Sequence, residues 1–133
     1  MSPDEIRNFV DEFYGLTAVG DWDAVDQRIT DDFFVSEAEG LPMAGRYEGR
    51  EGLRELYAKV MGALDVAAIE RVETMVGQDK GIVMLSLRFA DPSVPPAEIL
   101  ELFRFRDGKL AEIKPYYFDP HPVLAAAKAK AAR

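Results

Sequence analysis

Apolar residues in the first part of the chain recur every three or four positions, which is the spacing of amphipathic helices. Ser2-Pro3-Asp4-Glu5 is a capping box with proline at the first helical position, so the first helix begins there. Gly20 ends this helix, and Asp21 can cap a second, short one. A third helix follows Gly49. The apolar stripes of the three helices are Ile6, Phe9, Val10, Phe13 and Thr17; Trp22, Val25 and Ile29; and Leu53, Leu56, Tyr57, Val60, Met61 and Leu64.

Alternation with a period of two replaces this pattern in the second half of the chain and predicts strands. The predicted strands cover residues 66–76, 82–90, 98–106 and 109–117, and an earlier strand covers residues 33–39. Asp107-Gly108 predicts a tight hairpin between the last two strands, because glycine accepts the positive φ of a primed turn. Residues 41–45 are predicted to form a loop.

The order of elements is helix, helix, strand, helix and then four strands, which indicates an α+β fold. We expect a curved antiparallel sheet that wraps around the N-terminal helices as a cone, with an apolar pocket at its open end. Residues 1–133 are predicted to form a single domain with a core over about residues 1–120. The tail, 121–133, favours helix but lacks an apolar stripe, so it is expected to be frayed or disordered. His121, between two prolines, is expected to be exposed in an extended segment.

Charge and composition exclude several classes of function. The chain has 24 acidic and 16 basic residues and a net charge of −8, which argues against a nucleic acid or an anionic membrane as its partner. Without cysteine and with one histidine, it has no disulfides, no thiolate chemistry and no site of several imidazoles. Neither a metal site nor a cofactor is expected. No apolar stretch is long enough to span a membrane and the N-terminus is acidic, so a cytoplasmic location is expected.

Two carboxylates interrupt apolar rows on the predicted strands. Because side chains alternate between the two faces of a strand, Glu101 shares a face with Ile99, Phe103 and Phe105. By the same parity, Glu37 extends the row of Phe33 and Val35. A buried carboxyl group is costly unless it is protonated or finds a donor. We therefore expect Glu37 and Glu101 to line the pocket as candidates for acid–base chemistry, although a wet or structurally paired carboxylate explains the same pattern.

Several short segments, taken with the order of elements, resemble a known group of proteins. They are Phe13-Tyr14 through Gly20-Asp21-Trp22, Asp31-Asp32-Phe33, Gly45-Arg46-Tyr47-Glu48-Gly49 and Leu102-Phe103-Arg104-Phe105-Arg106-Asp107-Gly108-Lys109. They resemble the nuclear transport factor two-like superfamily, in particular its SnoaL-like and ketosteroid isomerase-like branch. The resemblance covers about the first 120 residues. The superfamily contains isomerases, cyclases and proteins without catalysis, so fold alone does not give the function.

The resemblance implies roles for individual residues. Glu37 falls at the position of the isomerase general base, which is ionised, and Glu101 at that of the protonated acid of the oxyanion hole. Tyr57 falls where the isomerases place a supporting tyrosine. Phe13 occupies the place of their oxyanion tyrosine, and Tyr14 lies about 100° around the helix, so we expect Phe13 rather than Tyr14 to face the cavity. The expected lining is Phe13, Tyr14, Val35, Tyr47, Met61, Phe103, Ile113 and Tyr117.

Two functions remain open at this point. One is an isomerase or cyclase that acts on a small hydrophobic carbonyl compound, with Glu37, Glu101 and Tyr57 as its catalytic groups. The other is a module of the same fold that binds a small hydrophobic ligand without catalysis. In either case we expect a homodimer through the outer face of the sheet, where Leu100 and Leu102 point away from the pocket and Ile82 and Met84 extend the apolar patch.

Overall fold

The computed structural model describes residues 1–133 as four helices and one six-stranded sheet. The helices are α1 (Pro3–Val19), α2 (Trp22–Asp26), α3 (Gly49–Leu64) and α4 (His121–Ala131). The strands are β1 (Ile29–Glu37), β2 (Gly45–Glu48), β3 (Val66–Gly77), β4 (Lys80–Phe89), β5 (Ala97–Arg106) and β6 (Lys109–Tyr117). The predicted strand 109–117 coincides with β6, and the other three strands of the meander end within a residue or two of the predicted limits.

The ends of α1 are set by the residues that predicted them. The Ser2 hydroxyl accepts a hydrogen bond from the Glu5 amide at 3.1 Å, and the Ser2 amide donates to the Glu5 carboxylate at 2.9 Å. Gly20 ends the helix in the left-handed conformation, with φ of 71°. This capped helix buries Ile6, Val10, Phe13 and Thr17 against the sheet, so the predicted stripe is the face that packs.

The sheet has the strand order β2-β1-β6-β5-β4-β3. Its last four strands form an antiparallel meander, β1 joins β6 in parallel, and β2 pairs with β1 in antiparallel. Asp107 and Gly108 both have positive φ, 53° and 77°, as the predicted hairpin requires. The fold is thus α+β: a curved, unclosed sheet surrounds the N-terminal helices, and its concave face holds the core.

The tail differs from its prediction. Residues 121–131 form a regular helix, α4, rather than a frayed or extended segment, and His121 begins it with its side chain 84% exposed. Val123 and Ala126 are buried, and Lys130 and Arg133 both pair with Asp65 at the end of α3. Small alanines let the helix lie close to its neighbours without an apolar stripe, which explains why the sequence pattern missed it.

The first strand and its partner also differ from the prediction. β1 begins at Ile29, four residues before the predicted start at Phe33, and the predicted loop at 41–45 leads directly into a short strand, β2. The register joins Val35 of β1 to Tyr47 of β2. Four residues are too few to show an alternating pattern, so β2 depends on pairing with β1 rather than on its own sequence.

Gly52 is a position where the fold requires the absence of a side chain. A Cβ atom there would lie 2.7 Å from the carbonyl carbon of Tyr47, whereas a Cβ at Gly62 of the same helix meets nothing within 4 Å. We expect Gly52→Ala to lower the free energy of unfolding by ~1–3 kcal/mol through overpacking. The matched variant Gly62→Ala should raise it by up to ~1 kcal/mol, because alanine favours helix. Urea unfolding measures both, and equal stability of the two variants would contradict this account.

Candidate functional site

A cavity lies between the concave face of the sheet and the helices α1 and α3. It has a volume of about 90 Å³, and 14 of its 16 lining residues are hydrophobic. The two exceptions are Glu37 and Glu101. A groove of about 520 Å³ lies between α1, α3 and β3, and we call it the mouth groove. The cavity shares four lining residues with it: Tyr14, Tyr57, Met61 and Ile69. An apolar site with two convergent carboxyl groups is thus joined to a wider opening.

Glu101 lies on the concave face of β5 and is hydrogen-bonded to Tyr14 of α1. The Tyr14 hydroxyl donates to Oε1 of Glu101. Burial raises the pKa of Glu101, and the bond from Tyr14 opposes that rise. Burial, with the neighbouring Glu101 carboxyl group, also raises the pKa of Tyr14 well above its usual range. The pair therefore favours the neutral tyrosine and tends toward a protonated carboxyl group.

The position of Tyr14 corrects the expectation that Phe13 rather than Tyr14 faces the cavity. Both residues line it. The strongly curved sheet surrounds enough of α1 that a residue at the edge of the stripe still faces β5, and the long tyrosine side chain brings its hydroxyl to Glu101. The ring of Tyr14 packs 5.8 Å from that of Phe103. A tyrosine hydroxyl therefore lies beside the acid even though Phe13 occupies the aligned position.

Glu37 forms a second pair with a tyrosine, Tyr117, at the end of β6. The Tyr117 hydroxyl donates to Oε1 of Glu37 at 3.3 Å. Burial, with a smaller contribution from the negative charge of Glu101, raises the pKa of Glu37 to about 8. At pH 7 Glu37 is therefore mainly a carboxylic acid, whereas the family resemblance implies an ionised base. Burial, together with the charge of Glu37, raises the pKa of Tyr117 too.

The two carboxyl groups face each other across one strand. Glu101 is paired with Pro115 of β6, and Glu37 lies two residues beyond the Val35–Ile113 pair, beside the same proline. Strands are about 4.8 Å apart, so the two backbones are separated by roughly 10 Å across β6. Their side chains both point into the cavity. The two carboxyl groups therefore flank Pro115 on the cavity side of the sheet.

Tyr57 of α3 also lines the cavity, but it makes no hydrogen bond to either carboxyl group. Burial raises the pKa of Tyr57 to about 12, an effect that the Thr17 hydroxyl opposes. Its ring lies 5.4 Å from that of Trp22 in an edge-to-face arrangement. Tyr57 therefore has the position of a wall residue between the cavity and the mouth groove.

The remaining predicted lining residues divide into two groups. Val35, Met61 and Ile113 line the cavity. Tyr47 and Phe103 do not, which corrects their assignment: the Tyr47 hydroxyl donates to the Met43 carbonyl oxygen at 2.7 Å within the core, and Phe103 is fully buried behind the rings of α1. Both nevertheless lie on the cavity's side of the sheet, Tyr47 opposite Val35 and Phe103 opposite Ile113.

Seven further residues line the cavity that the sequence pattern did not indicate, although the strands and helices that carry them were predicted. They are Leu53, Leu56, Val60, Ile69, Leu85, Leu87 and Ile99. The alternation of Val83, Leu85 and Leu87 along β4 could have indicated the middle of the cavity wall.

No three or more His, Cys, Asp or Glu side chains cluster in a way that could hold a metal ion. None of the helices combines the length and the apolar character needed to cross a membrane.

Comparison with solved structures identifies the class of fold. An NTF2-like protein from Burkholderia xenovorans LB400 has a TM-score of 0.76 at 19% identity, over 96% of this chain and 98% of that one. Bal32a, from a soil-derived mobile gene cassette, has a TM-score of 0.76 at 13% identity, over 93% and 97%. TerC, co-crystallised with polyporic acid, has a TM-score of 0.75 at 16% identity, over 93% and 98%. At these identities the likeness establishes the NTF2-like fold alone.

The sequence itself gives the family. Residues 10–113 match the family model of the SnoaL-like domain. The protein therefore belongs to the SnoaL-like domain family, within the NTF2-like superfamily, as the resemblance of its motifs implied. No curated protein sequence matches the chain significantly.

Proposed function

We propose that the protein is an enzyme that moves a proton on a small hydrophobic carbonyl compound, as an isomerase or a cyclase does. The observation that supports this proposal is the arrangement of two tyrosine–carboxyl pairs, Tyr14–Glu101 and Tyr117–Glu37, within one apolar cavity. Perturbed carboxyl groups in a cleft are typical of acid–base sites.

In the proposed reaction the two pairs have different roles. The carbonyl oxygen of the substrate accepts a hydrogen bond from the protonated carboxyl group of Glu101, which stabilises the negative charge that develops on it, while the Tyr14 hydroxyl donates to Oε1 of the same carboxyl group. Glu37, in its carboxylate form, takes a proton from the carbon next to the carbonyl group and returns it elsewhere on the same molecule. A preorganised donor contributes ~10²–10³ in rate and a positioned base ~10²–10⁴. Tyr57 contacts the body of the substrate in this arrangement.

Exchange of substrate protons with solvent tests the proposal without knowledge of the natural substrate. The protein is mixed in D₂O with a panel of cyclic enones, aryl ketones and steroid ketones, and NMR follows the loss of the protons beside the carbonyl group. We expect exchange above the buffer rate for at least one class. The proposal fails if no ketone that binds undergoes exchange above about pH 8, where Glu37 is ionised.

The second candidate function is a ligand-binding module without catalysis. The protonated state of Glu37 at pH 7 favours it, because a neutral cavity suits an apolar ligand and supplies no strong base. TerC, of the same fold, has been crystallised with the small molecule polyporic acid. Tight binding of a ketone with no proton exchange at any pH is the outcome that selects this function.

We further propose that the protein is a homodimer through the outer face of its sheet. Leu100 lies between Met84 and Tyr116 there, and Leu102 lies beside Ile82 in the next row. In the single chain Tyr116 is exposed and the other four side chains are only half-buried. A two-fold axis would make such a patch self-complementary.

Substitution of the outer face tests the dimer. Leu100→Glu combined with Leu102→Glu should convert a dimer into a monomer in sedimentation, because four buried carboxylates would face one another. Lys109→Glu, at the β5–β6 hairpin, is a control outside the patch and should leave the mass unchanged. A wild-type protein that sediments as a monomer at ~100 µM, far above the dissociation constant of a stable dimer, contradicts the proposal.

A further inference from the structure

Arg71 is a cation on the concave face of the sheet, which is otherwise apolar except for Glu37 and Glu101. In the β3–β4 pairing, Ile69 lies opposite Leu87 and Arg71 opposite Leu85, and these three hydrophobic neighbours line the cavity. The register shifts by one residue directly after Arg71, between it and Glu73. A bulge of this kind redirects side chains: it turns Glu73 to the outer face, opposite Met84, and the inward-facing positions of β3 resume at Thr74, opposite Val83.

The guanidinium group of Arg71 lies at the mouth groove. Arg71 is the only lysine or arginine among the residues that line the cavity or the mouth groove. Its central carbon lies 5.0 Å from the centre of the Tyr14 ring. The same tyrosine reaches Glu101 with its hydroxyl. The side chain of Tyr14 therefore lies between the Arg71 guanidinium group and the carboxyl group of Glu101.

Most of the hydrogen-bonding capacity of Arg71 is unused by the protein. Nη1 donates to Oδ1 of Asp11 at 2.7 Å, and Nε and Nη2 donate to no protein atom. These two nitrogens present the side-on fork that matches a carboxylate. The Asp11 side chain is 67% exposed, so water can solvate it, and exposed ion pairs of this kind are weak. Asp11 therefore positions Arg71 without saturating it.

We propose that Arg71 binds a carboxylate at the outer end of the substrate, so that the substrate class is an apolar carbonyl compound with a carboxylate tail. The carbonyl group lies at Tyr14 and Glu101, and the tail lies in the mouth groove against the guanidinium. Only the carbonyl end of this inference rests on the proposed function. A cation at the rim also gives an acidic protein, of net charge −8, a local site that attracts an anion.

Binding of a matched acid and ester tests the inference. The probes are 4-oxo-4-phenylbutanoate, which has an aryl ketone and a carboxylate, and its methyl ester, and calorimetry measures both dissociation constants. The wild-type protein should bind the acid at least about tenfold more tightly, which is the contribution of a hydrogen bond to a charged group. Arg71→Gln should abolish this preference while leaving the affinity for the ester unchanged, and Asp11→Asn should increase it.

Arg7→Gln is the structural control. Arg7 also joins α1 to β3, through a bond of 2.6 Å to the Thr74 carbonyl oxygen, but it lines neither the cavity nor the mouth groove. This variant should keep the acid preference. If Arg71→Gln weakens the binding of both probes equally, Arg71 only holds α1 against β3 and the inference is wrong. It is equally wrong if the wild type binds acid and ester alike, or binds neither at ~1 mM, the range of a weak ligand.

Proton exchange on the same probes separates this inference from the proposed function. A preference for the acid that disappears in Arg71→Gln, without exchange above about pH 8 on these probes or on any ketone of the panel that binds, supports the carboxylate site and rejects the enzyme. Exchange on both probes, together with equal dissociation constants for acid and ester in the wild type, supports the enzyme and rejects the carboxylate site.

Discussion

Glu37→Gln should lower the rate of proton exchange on a ketone substrate by ~10²–10⁴, the contribution of a positioned general base. Glutamine keeps the shape of the side chain and can still accept the hydrogen bond from Tyr117, which lies 3.3 Å from the carboxyl oxygen. What it loses is the ability to accept a proton. NMR exchange with the best ketone of the panel measures the effect, with saturating ketone so that binding does not limit the rate.

The pH profile provides an independent check of the same group. Only the carboxylate form of Glu37 removes a proton, and burial raises its pKa to about 8. The wild-type rate should therefore rise about tenfold per pH unit below that value and level off above it. Glu39→Gln is the matched control, since Glu39 is exposed just beyond the same strand, and it should keep both the rate and the profile. An unchanged rate in Glu37→Gln removes Glu37 from the mechanism.

The face of the sheet on which each carboxyl group lies could be predicted from the sequence, because successive side chains of a strand alternate between its two faces. Once β1 and β5 are recognised, Glu37 and Glu101 share a face with residues too apolar to lie in water. The meander then brings those faces to one side of the sheet. No knowledge of curvature or of the helices was needed for this step.

The groups that complete the site depend on tertiary geometry that the pattern does not contain. Tyr14 reaches Glu101 because of how far the sheet curves around α1, and a helical wheel alone ranked Phe13 above it. Arg71 faces inward because it lies directly before a bulge, and the position of that bulge depends on how β3 pairs with β4. The bond from Tyr117 to Glu37 depends on the parallel pairing of β1 with β6 across a long sequence separation. Local periodicity cannot specify any of these three.

The free energy of unfolding should decrease as the pH rises from about 5 to 9. Glu37 has a folded pKa of about 8, above the ordinary value of 4.5. A raised folded pKa means that the native state binds the proton more tightly than the unfolded chain. The resulting stability is fully present below about pH 4.5 and is lost as the pH rises through about 8. Since one pKa unit corresponds to 1.36 kcal/mol, the loss attributable to Glu37 approaches ~5 kcal/mol.

Comparison of variants assigns this alkaline loss to the cavity rather than to surface groups. Glu37→Gln has no carboxyl group to ionise at this position, so its unfolding free energy should fall less than that of the wild type as the pH rises through about 8. The two proteins should therefore diverge with rising pH, with the variant more stable at about pH 9. Thermal and urea unfolding at a series of pH values measure this divergence, and Glu39→Gln should follow the wild type because its side chain is exposed. Burial also raises the pKa of Glu101, so Glu101→Gln should remove a further part of the slope. Parallel curves for wild type and Glu37→Gln would mean that Glu37 is solvated and titrates normally, which would remove the physical basis for its role as a tuned base.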